Sequence, residues 1–264
     1  MTQKHMTQKR TTQKLENLAG PDVLSEITAE SILLWPIGAI EQHGPHLPLN
    51  VDAVIADAAA TAAAEACAGD LDIWLLPLLS VTKSNEHAWA PGTLWLSAET
   101  MLAVVKDVGR CAATTAAKRL VFLNAHGGNS ALLNVACREL RLAFDLMTFL
   151  AHPFVPADQG GASAGHELSM GIHGGHDETS LMLHLRPELV HMDRASRRIP
   201  AHLADNKHVR FGGSVTFGWL SDDFGADGHI GDPTTATAEE GKRLFEVAVN
   251  QLVEQLHEVA EFRF

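Results

Sequence analysis

Short apolar runs alternate with longer helical stretches from about residue 20 onward, and that alternation leaves the chain few folds. SILLWPIG (31–38) reads as a buried strand ending at a proline–glycine break. DAVIADAAATAAAEACA (52–68) reads as a helix with Asp52 in a good N-cap position. DIWLLPLLSV (72–81) is the next strand, and the stretch 97–118 the next helix, with Ser97 as its cap. RLVFLNAHGG (119–128) is a strand running into glycines, followed by a helix over 129–144 that opens at Asn129. The chain closes on an amphipathic helix from residue 238. This rhythm predicts an α/β fold with a mostly parallel sheet and helices on both faces. No linker or composition shift divides residues 20–264, so they are expected to form one domain.

Ahead of that domain, residues 1–19 carry Thr-Gln-Lys three times at a spacing of five and lack the apolar core of a secretory signal. They are expected to be a disordered tail. A formal charge of −12 argues against nucleic acid or an anionic membrane as partner, since both demand excess Lys and Arg. Apolar runs such as 73–79 are too short to span a bilayer. Cys67, Cys111 and Cys137 include no close pair, which points to a reducing, cytoplasmic compartment without disulfides.

The chemistry concentrates where strands end. In WPIGAIEQHGPHLPLNVD (35–52), Glu41 and His43 stand two apart, so in an extended segment they point to one side. Asp52 follows at the helix start. FLNAHGGNS places His126 at the end of a buried strand, with Asn124 and Asn129 nearby, and IHGGHDETSLML places His173, His176, Asp177 and Glu178 before an apolar helical run. Each motif has a plainer reading: a surface acid beside a core histidine for the first, a helix cap with Glu178 in the dipole-favoured first turn for the last. Three acid/histidine clusters at strand-to-helix junctions nevertheless share one edge of a parallel sheet, so they should converge where open α/β sheets bind ligands. Mixed carboxylate and imidazole donors suit Zn²⁺ or Mn²⁺. Two glycine-rich stretches, 155–178 and 210–237, interrupt the rhythm and are candidates for binding loops.

PIGAIEQHGPHLPLNVD, NAHGGNS, HGGHDETS and the late GHIGDPTTATAEEGKRL, in that order, resemble the creatininase family of metal-dependent amidohydrolases over residues 31 to 250. The resemblance implies a three-layer α/β/α fold, two divalent metal ions per chain (Zn²⁺ and/or Mn²⁺), and a homo-oligomer, often a hexamer. It implies Glu41, His43, Asp52, His126 and Glu178 as ligands. Asp52 would bridge, with Glu41 and His126 on one side and His43 and Glu178 on the other. His173 matches the histidine that assists proton transfer, the catalytic candidate. Creatinine-hydrolysing members carry a glutamate where this chain has Gly128, and tryptophans in a region where residues 130–178 here have none, so creatinine is not the expected substrate. Trp89 and Trp95 in NEHAWAPGTLWLSAET, with Asn129 and His176, are candidate substrate contacts; a core or interface role for the tryptophans stays open.

The leading expectation is therefore a binuclear hydrolase that cleaves a C–N bond in a small cyclic or linear amide, such as a lactam or formamide, with metal-activated water. A second enzyme reading is a peptidase of the same family trimming a ribosomally made cofactor precursor. A non-catalytic metal-binding scaffold is the reading from another class, and the presence of the whole ligand set argues against it.

Overall fold

The computed structural model describes residues 12–154 and 165–264; the expected tail over 1–11 and the loop at 155–164 lie outside them. From residue 13 the tail expectation needs correction. The Gln13 carbonyl accepts from the Leu75 amide at 2.9 Å, Lys14 forms a parallel bridge to Leu75, and Leu15 and Leu18 pack on the core. Leucines flanking this short segment give it apolar surface to bury, which the polar repeat ahead of it lacks.

A short helix α1 (Gly20–Glu26) leads into β1 (Ile32–Ile37), α2 (Val51–Cys67) and β2 (Ile73–Leu75). Then follow α3 (Ala98–Ala112), β3 (Arg119–Asn124), α4 (Ser130–Phe144) and β4 (Met147–Ala151). The last two helices are α5 (His176–Leu185) and α6 (Ala238–Glu261). The four strands form one parallel sheet in the order β2-β1-β3-β4.

Side chains alternate across the sheet with period two. Leu33, Trp35, Ile37, Leu120 and Phe122 pack with Met101 and Val105 of α3 and Leu133, Ala136 and Leu140 of α4. Ile32, Leu34, Val121 and Leu123 face the other way, onto the alanines of α2 and onto Leu252 and Leu256 of α6. Both faces are covered, which is why β1 and β3 read as unbroken apolar runs. The alanine stripe 59, 60, 63 and 64 leaves no long side chain between α2 and the sheet. The result is the α/β/α sandwich expected from the sequence.

Some boundaries differ. The strand expected over 72–81 pairs only through Leu75, because Pro77 offers no amide, and the chain touches β1 again at the Ile37–Leu79 bridge. The helix expected to reach residue 118 stops at Ala112, where the Thr114 and Thr115 hydroxyls bond to the carbonyls of Cys111 and Ala112. β4 is an additional strand, set off from α4 by Asp145 in a left-handed conformation.

Candidate metal centre

β1 and β3 are neighbours, with Ile37 opposite Asn124, so the chain leaves both strands at the same edge. The loop after β1 carries Glu41 and His43, and the turn after β3 carries His126. α2 returns to that edge with Asp52 in its first turn. Asn50, not Asp52, holds the N-cap position, and Asp52 is therefore free of the capping role expected of it. Gly38 permits the return: a Cβ there would lie 2.6 Å from the Ala53 backbone.

The site is built from buried groups. Donor atoms of Glu41, Asp52 and His126 lie within 4.8 Å of one another, and so do those of His43, Asp52 and Glu178. Asp52 belongs to both triads: Oδ1 is 3.2 Å from His43 Nε2 and Oδ2 is 3.2 Å from His126 Nδ1. The Glu41 carbonyl accepts from His43 Nδ1 at 3.0 Å, so the lone pair of that ring sits on Nε2. That nitrogen faces Asp52 Oδ1, Glu41 Oε1 at 3.8 Å and Glu178 Oε2 at 4.0 Å. A lone pair aimed at three carboxylates is repulsive unless a proton or a cation lies between them. Glu41 Oε1, His43 Nε2 and Asp52 Oδ2 are buried and have no hydrogen-bond partner among the described residues. Three orphaned donor atoms from three of the expected ligands are what a divalent ion would satisfy.

Without an ion, protons take that place. Burial opposes a charge on His43, yet Asp52, Glu178 and Glu41 together push its pKa up to about 10. His126 is also raised well above the usual imidazole range, burial being outweighed by Glu41, Asp52 and Glu86. Asp52 is held well below the carboxylate range; burial again opposes, and His43 and His126 win. Glu178, whose Oε2 accepts from the Gly174 amide at 2.5 Å, is pushed to about 7 by desolvation, with Asp52 adding to the rise and His43 opposing it.

His173 sits between two imidazoles, its ring centroid 4.1 Å from those of His43 and His87. Nε2 donates to the Gln42 carbonyl, which leaves Nδ1 facing Glu41 Oε1 at 3.6 Å. Burial and the neighbouring histidines lower its pKa well below the usual value. Donor atoms of Glu41, His43 and His173 also lie within 4.8 Å of one another, a third grouping that overlaps the first two.

The candidate substrate contacts separate. Asn129 is fully buried: its amide donates to the Gly38 carbonyl and Asn124, and its carbonyl accepts from the Lys83 amide, so it ties the three loops together and has no group left for a substrate. His176 opens α5, and its Nδ1 meets Thr235 Oγ1 at 2.9 Å. Trp89 is 38% exposed and donates to Ser221 Oγ, and Trp95 is 45% exposed.

Sequence reasoning passed over four residues at the site. His87 is buried with Nε2 3.5 Å from Glu41 Oε1, and Ser84 Oγ donates to Glu41 Oε2 at 2.5 Å. Glu86 approaches His126. All three lie in or beside the tryptophan-bearing segment 85–100. Glu167, fully buried, accepts from the amides of His176 and Asp232 and so fixes the start of α5. The stretch 210–237 contributes an aromatic wall in which Phe211, Phe224 and Trp219 pack together and Trp219 meets His87 edge-on at 6.4 Å. Two of its acids are tied to arginines: Asp227 pairs with Arg198, and Asp232 pairs with Arg197 and accepts from the Thr234 amide.

Residues 16–256 match the family described as creatinine amidohydrolase. The chain is 39% identical over 230 residues to a mycofactocin precursor peptide peptidase of Mycobacterium ulcerans, covering 85% of this chain and 84% of that protein. It is 32% identical over 245 residues to a creatinine amidohydrolase of Pseudomonas putida, covering 87% and 90%. A solved structure described as "Creatininase Mn" superposes with a TM-score of 0.73 at 29% identity, over 94% of this chain and 98% of that one.

Proposed function

Since the chain belongs to the creatininase family of hydrolases, we propose that it is a metal-dependent peptidase that trims a precursor peptide. Of the two enzyme readings open to the sequence, the similarity to a precursor peptide peptidase supports this one over hydrolysis of a small lactam or formamide. The observation that carries the metal reading is the pair of triads sharing Asp52, with three orphaned donor atoms between them. Glu41, Asp52 and His126 would hold one ion, and His43, Asp52 and Glu178 the other. Zn²⁺ and Mn²⁺ both suit these donors, and a relative has been solved as a manganese form. Bound divalent ions would supply an activated water and polarise the scissile carbonyl.

The protein's own contribution is to place and protonate. His173 has Nε2 committed to the Gln42 carbonyl, so Nδ1 is the atom that exchanges protons. Its depressed pKa leaves it neutral near pH 7, able to take the proton released by the attacking water. Burial among His43 and His87 then makes the protonated ring a strong acid toward the departing amine nitrogen. Trp219 and its aromatic neighbours close one side against solvent. We further propose that the protein works as a homo-oligomer, as the hexamers implied by the resemblance suggest.

The test combines elemental analysis with a cleavage assay on the gently purified protein. About two ions per chain, lost in Asp52→Ala, and a new amine terminus released from short peptides are expected. Ring opening of lactams without peptide cleavage would return the small-amide reading, and a metal-free, inactive wild type would favour a scaffold.

A further inference from the structure

His126 Nε2 is surrounded by oxygen: the Lys83 carbonyl at 3.0 Å, Glu41 Oε2 at 3.3 Å and Glu86 Oε1 at 3.4 Å. A backbone carbonyl can only accept, so Nε2 keeps its hydrogen in either protonation state, and Nδ1 is the nitrogen that gives up its proton to offer a lone pair. Nδ1 is the nitrogen 3.2 Å from Asp52 Oδ2, on the side of the shared carboxylate. Which way this ring faces therefore depends on what holds Nε2.

Glu86 is built to hold it. It lies in the 3₁₀ turn Asn85–His87, its side chain only 12% exposed. Its two oxygens are divided: Oε2 pairs with Lys83 Nζ at 3.0 Å, and Oε1 turns to His126. Lys83 supplies both the carbonyl on the imidazole and the ammonium on the carboxylate, so the three residues lock one another. The space for this carboxylate comes from Gly128. A Cβ at that position would lie 1.8 Å from Glu86 Oε1 and 2.5 Å from His126 Nε2. Any side chain at 128 would displace Glu86, so the two positions form one unit across 42 residues of sequence.

We propose that Glu86 is the positioning carboxylate for His126, fixing its tautomer and aiming Nδ1 at the ion held with Glu41 and Asp52, and that Gly128 exists to admit it. A metal-ligating histidine whose far nitrogen donates to a carboxylate is oriented and made more basic, and losing that partner typically weakens metal binding about 10–100-fold. The inference rests on the metal reading above. It adds that the two ion positions are unequal: only the Glu41–Asp52–His126 position depends on Glu86.

The experiment is a competition titration of the metal-free full-length chain with Zn²⁺ and with Mn²⁺ against a chromophoric chelator. Wild type, Glu86→Gln and Gly128→Ala would be compared. Glu86→Gln is expected to weaken one of two binding events by about 10–100-fold and leave the other unchanged. Gly128→Ala, whose Cβ would fall on Glu86 Oε1 and on His126 Nε2, is expected to weaken that same binding event. Two unchanged binding events in Glu86→Gln would overturn the inference alone. Equal weakening of both would also overturn it, because Glu86 would then act on the whole site as a packing residue. No binding by the wild type would overturn the metal reading itself.

Discussion

The Asp52 carboxylate between His43 and His126 sets the protonation chemistry of the whole site. In the metal-free chain His43 keeps its proton up to about pH 10, because the acids around it outweigh its burial. A metal needs the bare nitrogen, so binding near pH 7 must expel that proton, and the apparent affinity should rise as pH increases toward that value. Calorimetric titration in two buffers of different ionisation heat should show at least one proton released per chain; heats independent of buffer would contradict the charged His43. His173 offers the complementary test. With its Nε2 held by Gln42, His173→Ala should keep both ions and lose about 10²–10⁴-fold in turnover, since a proton-transfer group is removed. Retained turnover with normal metal content would exclude it from proton transfer. Much of this residue set was legible because Glu41, His43 and His126 stand in compact motifs just past β1 and β3 and Asp52 opens α2, whereas Glu178 opens α5 after a loop and not, as expected, after a strand of the sheet. Glu86 was not. Along the sequence Gly128 reads as a missing carboxylate, and only the fold shows another carboxylate occupying the space beside it.

Elements bring these residues together through backbone contacts that tolerate no side chain. At Gly38 a Cβ would press on the backbone of Ala53, which cannot swing aside as a flexible side chain can. Gly38→Ala should therefore push the first turn of α2 outward and move Asp52 with it. Overpacking of this kind costs about 1–3 kcal/mol, and metal affinity should fall at both proposed positions because Asp52 belongs to both triads. Ser97→Ala is the control. It removes the cap on the Thr100 amide and costs about 1 kcal/mol, but α3 carries no ligand and metal binding should stay as it was. Denaturant unfolding of the metal-free proteins, followed by metal titration, separates the two outcomes. Equal metal affinity in Gly38→Ala and wild type would mean that α2 does not need this approach. The parallel order of elements was readable from apolar runs and helix starts, because both sheet faces are covered and the strands show no polar alternation. Strand lengths were less so. Pro77 cuts β2 short although its neighbours are apolar, and β4 follows α4 so closely that only the left-handed Asp145 separates them.

At the scale of the whole molecule, the loop that follows β2 faces two ways. Its inner side carries Ser84, Glu86 and His87 into the site, and its outer side leaves Leu94 at 51% and Trp95 at 45% exposure. Trp89 is pinned by Ser221, but Leu94 and Trp95 have backbone bridges to Ile40 and Thr82 and leave apolar area in solvent. Neighbouring exposed apolar side chains, one of them a tryptophan, suit the core of a contact between copies. Each chain carries −12, so copies repel at long range, and a contact centred on apolar residues should strengthen as salt screens that repulsion. Light scattering is thus expected to show an oligomer whose dissociation on dilution is suppressed by added salt and promoted by Trp95→Asp. Because the same loop holds Glu86 against His126, dissociation should also loosen the Glu41–Asp52–His126 position, and metal affinity should fall together with assembly. A wild type that stays monomeric at high concentration and high salt would refute the contact. An oligomer untouched by Trp95→Asp would place the contact elsewhere and leave this loop with the site alone.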